Sequence, residues 1–299
     1  MAQIRCCLCQ GAKRPLVEKG CACSGNSSLV HLDCLAKQAE SQAEEEKYDA
    51  WSTCDACKEK ITGRTRDKLA DSMKDLGIRL HKMGNYGQAK EVLHRVYNEM
   101  QKVLGPKNHN TLMTASHLAE CFYDDGEYTK AEEKARMVVE GFQKVLPPGN
   151  PDLLTSKIFL AKCLYVQVKY REVEQIQRDV LETQKKLLGF KDAGTRQSAK
   201  DLACTLKSLG KYAEAYEIVR QVHSVETELL GPEDPNTVRS AHYLEFLSHR
   251  LDRHDGQQAR QQCSGGCPPS PNKRKRRQQP LLEATHKAEG DTVRHKKQK

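Results

Sequence analysis

Tyr86, Tyr128, Tyr170 and Tyr212 stand 42 residues apart, and Leu104, Leu146, Leu188 and Leu230 keep the same interval. Leu76, Leu118, Leu160, Leu202 and Leu244 carry it through a fifth copy. A period held at several positions at once means that one supersecondary unit is used repeatedly, and such units stack into a solenoid. Each unit reads as two helices. From Thr111 to Asp125 the apolar residues Leu112, Ala115, Leu118, Ala119 and Phe122 fall at helical spacing, and Gly126 sits where a helix-ending glycine belongs. Ala131, Ala135, Val138, Val139, Phe142 and Val145 then mark a second amphipathic run from Tyr128 to Leu146, stopped by Pro147-Pro148-Gly149. Small residues beside the repeat leucines (Gly77, Ala119, Ala161, Ala203) let paired helices approach closely. Neither helix can bury its apolar face alone, so neighbouring pairs must supply the core.

A Gly-x-Tyr-x-x-Ala register recurs as Gly84-Asn-Tyr86 with Ala89, Gly126-Glu-Tyr128 with Ala131, Val168-Lys-Tyr170 with Val173, and Gly210-Lys-Tyr212 with Ala215. The array resembles tetratricopeptide repeats, specifically the 42-residue form with lengthened helices found in kinesin light chains. The resemblance implies a mainly α fold with an α-solenoid over 66–251. Its units fall at roughly 66–104, 110–146, 152–188 and 194–230, with a terminal helix at 236–251 as a cap. The third unit departs most, because Val168 replaces glycine and Val173 replaces alanine, so a strained turn or splayed helices are expected there.

Solenoids of this kind bind protein or peptide ligands along the face made by the first helix of each pair. With the repeat leucines turned inward, that face would include Lys74, Lys82, Lys162, Lys200, Lys207 and Arg239, together with Met113, Tyr123 and Tyr165. An acidic peptide or a C-terminal carboxylate is the expected ligand. The same charges also suit an ordinary solvated helix face. Cys121, Cys163 and Cys204 fall in helix registers and read as small core residues.

A different pattern occupies the first sixty residues. Eight ligand-type residues run Cys6-x2-Cys9, Cys21-x-Cys23, His31-x2-Cys34 and Cys54-x2-Cys57, with Cys7 left over. Zinc takes four tetrahedral thiolate or imidazole ligands, and eight in four short-spaced pairs make two closed sites with no position for water. The metal would therefore be structural. Few large apolar residues accompany it (Ile4, Leu8, Leu16, Val17, Leu29, Val30, Leu32, Leu35, Tyr48, Trp51, Ile61), so metal must carry the folding of 1–62. The spacing suits interleaved and sequential pairing alike.

Four cysteines, a histidine and three cysteines, with one residue between the third and fourth ligands, resemble the RING-CH zinc domain over residues 4–62. A PHD finger shares the ligand order, but Trp51 lies three residues before Cys54 rather than two. The RING-CH resemblance implies a cross-brace in which Cys6, Cys9, His31 and Cys34 hold one Zn2+ and Cys21, Cys23, Cys54 and Cys57 the other. It also implies a ubiquitin-conjugating enzyme as partner, docked on Leu8, Trp51 and Lys58. Such domains transfer ubiquitin without a covalent intermediate, so no catalytic residue is expected. Cys54-Asp-Ala-Cys57 lacks the proline that active RING domains often carry, and Lys58 stands where arginine is favoured.

Beyond Leu251 the apolar pattern ends. Residues 252–299 hold 12 of the 49 Lys and Arg but 5 of the 40 Asp and Glu, so most of the net charge of +9 sits in this stretch. High charge with few apolar residues predicts a disordered basic tail. Lys273, Arg274, Lys275, Arg276 and Arg277 suit a nuclear localisation signal read by an importin, or a nonspecific nucleic-acid contact confined to the tail. No apolar stretch suits a membrane span or a signal peptide, so a nuclear or cytoplasmic protein is expected. The chain shows no Gly-rich phosphate loop, no G-x-S-x-G and no open metal site, which argues against hydrolase and oxidoreductase chemistry. Two readings follow: a ubiquitin ligase whose repeats recruit the substrate, and a non-enzymatic adaptor with two protein-binding modules. Purified full-length protein is expected to hold about two zinc ions per chain by atomic absorption. Chelation should open residues 1–62 to trypsin and leave 66–251 resistant. Zinc far below that level would overturn the zinc assignment.

Overall fold

The computed structural model describes residues 17–18, 29–30, 34–35, 37–38, 41, 61 and 63–263, with side chains at 34–35, 37–38, 41, 61 and 66–251. The chain divides into Met1–Arg250 and Leu251–Lys299, the second described only as helical backbone to Cys263. In the first unit Val17–Glu18 (β1) and Leu29–Val30 (β2) pair antiparallel, Val17 opposite Val30. Four helical hairpins follow. They are Gly63–Lys82 (α1) with Tyr86–Val103 (α2), His109–Asp124 (α3) with Tyr128–Val145 (α4), Pro151–Val166 (α5) with Tyr170–Leu188 (α6), and Ala193–Ser208 (α7) with Tyr212–Leu230 (α8). The last helix, Pro235–Cys263 (α9), passes the expected boundary at 251. Gln, Ala and Arg after Gly256 are good helix formers, and Ser264-Gly265-Gly266 follows its last residue.

The hairpins start and stop by the same local chemistry. Asn108, Asn150 and Asp192 precede α3, α5 and α7, and their side-chain oxygens accept from Asn110 N (2.9 Å), Asp152 N (2.8 Å) and Thr195 N (2.8 Å). These are N-caps at the 42-residue period, each satisfying amides that the helix itself cannot. The first helix of each hairpin ends in one reverse turn. Glu127 N donates to Phe122 O (2.8 Å) and Gly126 N to Tyr123 O (3.0 Å), and the same pair of bonds recurs at 84–85, 168–169 and 210–211. This Schellman closure needs a left-handed residue, which glycine adopts without a Cβ clash. In the third hairpin Val168 is forced there, at φ 64°, the one non-glycine with positive φ among the described residues. The expected strain is present, and the turn bonds form nonetheless.

Successive helices from α1 to α8 pack on one another, so the core is a column rather than a ball. The repeat leucines Leu76, Leu118, Leu160 and Leu202 are buried in it. Close approach is real at Gly77, where a Cβ would meet Leu93 Cγ at 2.6 Å. Leu35 and Ile61, two of the apolar residues expected to serve the zinc fold, are buried with Leu69, Met73 and Leu93 of the first hairpin. They are among the few large apolar groups ahead of α1, and an otherwise uncovered end of a helical column is the nearest place to bury them.

Ion pairs link the second helices of successive hairpins, and their sign changes once. Glu132 binds Lys169 (2.6 Å) and Arg136 (2.8 Å), while Arg136 reaches Glu172 (2.5 Å). One repeat later Glu174 binds Lys211 (2.7 Å) and Arg178 (2.7 Å), and Arg178 reaches Glu214 (2.6 Å). Burial alone would raise the Glu132 and Glu174 carboxyls, but the hydrogen bonds from their cationic partners hold both below the usual carboxylate value. One repeat earlier the register is inverted: Lys90 pairs with Glu127, which also pairs with Lys130. Pairs this exposed stabilise little singly, but the inverted sign would set Lys90 against Lys169 or Lys211 if the first hairpin preceded the third or fourth, so it disfavours those orders. Val168→Gly is expected to raise the thermal midpoint by about 2–4 °C in circular dichroism, corresponding to about 1 kcal/mol of relieved backbone strain. An unchanged or lowered midpoint would refute the strain assignment.

Candidate functional site

The first helices α3, α5 and α7 meet through side chains, Phe159 of α5 against Tyr123 of α3 and Tyr165 of α5 hydrogen-bonded to Ser208 of α7 (3.3 Å). The register at 117, 159, 201 and 243 supplies the group that fills the space between neighbours. Phe159 fills it against Tyr123, with ring centroids 5.8 Å apart, and Tyr243 packs in the last cluster beneath the Lys207 ammonium. Between α5 and α7 the same position is Asp201, which is too small to replace a ring. A cavity of about 440 Å³ remains, a volume typical of ligand sites.

Its walls are Ile158, Ala161, Tyr165 and Val166 from α5, Ile176 and Val180 from α6, and Ser198 and Cys204 from α7, with Tyr123 of α3 at one side. Asp201 and Gln177 stand in this largely apolar setting beside Lys162 and Ser198. Gln197 Nε2 donates to Asp201 Oδ1 (2.8 Å), and burial raises the Asp201 carboxyl above its usual value despite that bond and the more distant Lys200. Gln177 stands where Leu93, Ala135 and Val219 occupy the buried register, and its Oε1 is out of solvent with no hydrogen-bond partner among the described residues. Neither group was singled out from the sequence. Aligning the repeats by 42 places Asp201 in the register of His117, Phe159 and Tyr243, shared with Asp75 of the first hairpin, and Gln177 among aliphatics.

The cations expected along this face are dispersed. Lys162 lies 4.2 Å from the Tyr123 ring centroid, and Lys207 rests over Tyr243 and Phe246 at 5.6 and 5.8 Å. Lys74 is paired with Asp71 (3.0 Å). Lys200 does not offer its charge to a ligand: its Nζ binds Glu226 (3.1 Å), a carboxylate 2 % exposed that also has Arg196 at 3.9 Å. Glu226 occupies the register of Met100 and Phe142, so the core of the last hairpin is ionic where the first two are apolar. A buried carboxylate must be neutralised, and Lys200 is the nearest charge that can do it. Lys82 and Arg239 lie exposed. No single basic patch forms from these six. Burial pushes the Cys121 and Cys163 thiols up to about 12, so both behave as core residues, as expected.

Of the expected zinc ligands, Cys34 alone lies within the described residues, half-buried against the first-hairpin core. Cys6, Cys9, Cys21, Cys23, His31, Cys54 and Cys57 lie outside them, as do Leu8, Trp51, Lys58 and the basic run 273–277. Among the described residues no cluster of three metal-binding side chains occurs, and no helix is long and apolar enough to cross a membrane.

The tetratricopeptide-repeat family profile matches residues 68–144 and again 195–236. The helical array is built of tetratricopeptide repeats. A variant of a putative kinesin light chain from Podosopora anserina, with nearly identical TPR-like repeats, is similar in structure. It shows a TM-score of 0.57 and 25% identity over 64% of this chain and 91% of that one. A second structure of that protein gives the same TM-score at 24% identity, over 63% and 90%. No curated protein matches the chain significantly. No RING-CH profile matches residues 1–62. The repeats make the helical unit a protein-interaction scaffold, and the cavity lies on the first-helix face that such scaffolds present. Asp201→Phe is expected to fill the cavity as Phe159 does and raise stability by about 1 kcal/mol in urea unfolding. A loss of stability would show that the space is not a missing ring.

Proposed function

We propose that the tetratricopeptide repeats hold a peptide segment of a partner protein on the α3–α5–α7 face, and that the N-terminal segment passes ubiquitin to that partner. The cavity beside Tyr165 carries the recruiting half of this reading, because it is apolar-walled, open to solvent and holds one buried polar atom, Gln177 Oε1, without a partner among the described residues. The transfer half rests on the eight-ligand spacing of Cys6 to Cys57 and on its resemblance to RING-CH domains. Two structural Zn2+ would hold that segment in shape, and Leu8, Trp51 and Lys58 would meet the conjugating enzyme. The burial of Leu35 and Ile61 in the first hairpin supports a mechanical link, since it ties that segment to the repeats rather than leaving it on a free linker. A basic run at Lys273–Arg277 would take the complex to the nucleus through an importin.

Full-length protein, incubated with activating enzyme, ubiquitin and a panel of conjugating enzymes, is expected to form ubiquitin chains on itself with at least one of them. Leu8→Ala and Trp51→Ala should each lower the rate by about tenfold without changing the circular dichroism, as loss of a docking anchor does. No chains with any conjugating enzyme would leave the adaptor, in which both modules bind proteins and nothing is transferred.

A further inference from the structure

We infer that the cavity between α5 and α7 is a receptor for one basic side chain, arginine or lysine, of the bound peptide. This rests on the reading of the α3–α5–α7 face as a peptide-binding surface and names the residue that surface selects.

The argument is one of complementarity. Two acceptors, the Asp201 carboxylate and Gln177 Oε1, have no cation bound to them among the described residues, although the Lys162 ammonium and the Ser198 hydroxyl also line the cavity. Asp201 has a single hydrogen bond, from Gln197, and no cation within ion-pair distance among the described residues. Lys200, the nearest on its own helix, is turned to Glu226, and Lys162 is held over the Tyr123 ring. Gln177 Oε1 is a second acceptor, buried and unsatisfied. An unpaired buried acceptor is costly, and a guanidinium or ammonium in the cavity would satisfy Gln177 Oε1 and neutralise the Asp201 carboxylate with charge-assisted bonds.

The walls fit the remainder of such a side chain. Ile158, Ile176 and Val180 form an apolar sleeve for a methylene stem, and the Tyr165 ring offers a π face to a cation. A purely aliphatic ligand would fill the volume, leave Gln177 Oε1 unpaired and leave the Asp201 charge without a counterion. An acidic one would place its charge against Asp201. The Lys162 ammonium at the α3 side sets a limit: it repels a second adjacent cation, so one basic residue among neutral or acidic neighbours is selected, not a polybasic run.

The test immobilises full-length protein and applies libraries of end-blocked hexapeptides that share one fixed residue, Arg, Lys, Leu, Trp or Glu. Fixed-Arg and fixed-Lys libraries should be retained about tenfold more than fixed-Leu, the scale of one charge-assisted hydrogen bond. Asp201→Asn, folded by circular dichroism, should abolish that preference, while Asp71→Asn, remote from the cavity, should leave it. Preference for Trp, Leu or Glu, or a basic preference that survives Asp201→Asn, would overturn this inference and leave the peptide-binding face standing. No library retained above a blank surface would overturn both.

Discussion

Every hairpin in this protein is left with an apolar face that it cannot cover. That one shortfall organises the molecule: the second helix of one pair and the first helix of the next must meet, and the core becomes a column running through four hairpins. Leu76, Leu118, Leu160 and Leu202 are buried because a neighbour covers them, and Gly77 has no Cβ because Leu93 takes its place. Covering the first end of the column also accounts for Leu35 and Ile61. They lie far apart in sequence and come together only because the first hairpin has a surface to bury.

Stacking creates a second constraint, which is order. Each interface is built from the same registers, so a repeat protein risks pairing with the wrong copy of itself. The ion pairs answer this by changing sign, Lys90 with Glu127 in one interface and Glu132 with Lys169 in the next. The cores diverge as well, from Met100 and Phe142 to Gln184 and Glu226. Divergence has a functional side. Where Asp201 faces the register filled by Phe159 and Tyr243 in the neighbouring helices, and Gln177 stands among aliphatics, the stack loses packing and gains a cavity with polar oxygens. The site is a local sacrifice of the repeat rule, tolerated because the rest of the column keeps its packed core.

Much of this could be read without coordinates. Periodicity placed the helices of the inner hairpins to within a residue or two, since the interval fixes both the apolar stripe and the glycine after it. It also flagged Val168, because a β-branched residue in a glycine register must be strained or must break the turn, and here the turn wins. The N-caps at Asn108, Asn150 and Asp192 were equally legible and went unread. Lys200 was not legible. Its place on the first-helix face is correct by register, but a charge 26 residues away draws its ammonium inward.

The sequence by itself determined the unit, its length, its two helices and the turn between them, because those depend on groups a few residues apart. The ligand order of Cys6 to Cys57 and the charge of the tail are equally properties of the string. Tertiary structure decided which lysines are spent on buried carboxylates, where Leu35 and Ile61 are covered, and that one interface is hollow. Those outcomes depend on what lies opposite each side chain across a packed interface. A missing ring is visible only when the space meant for it has walls.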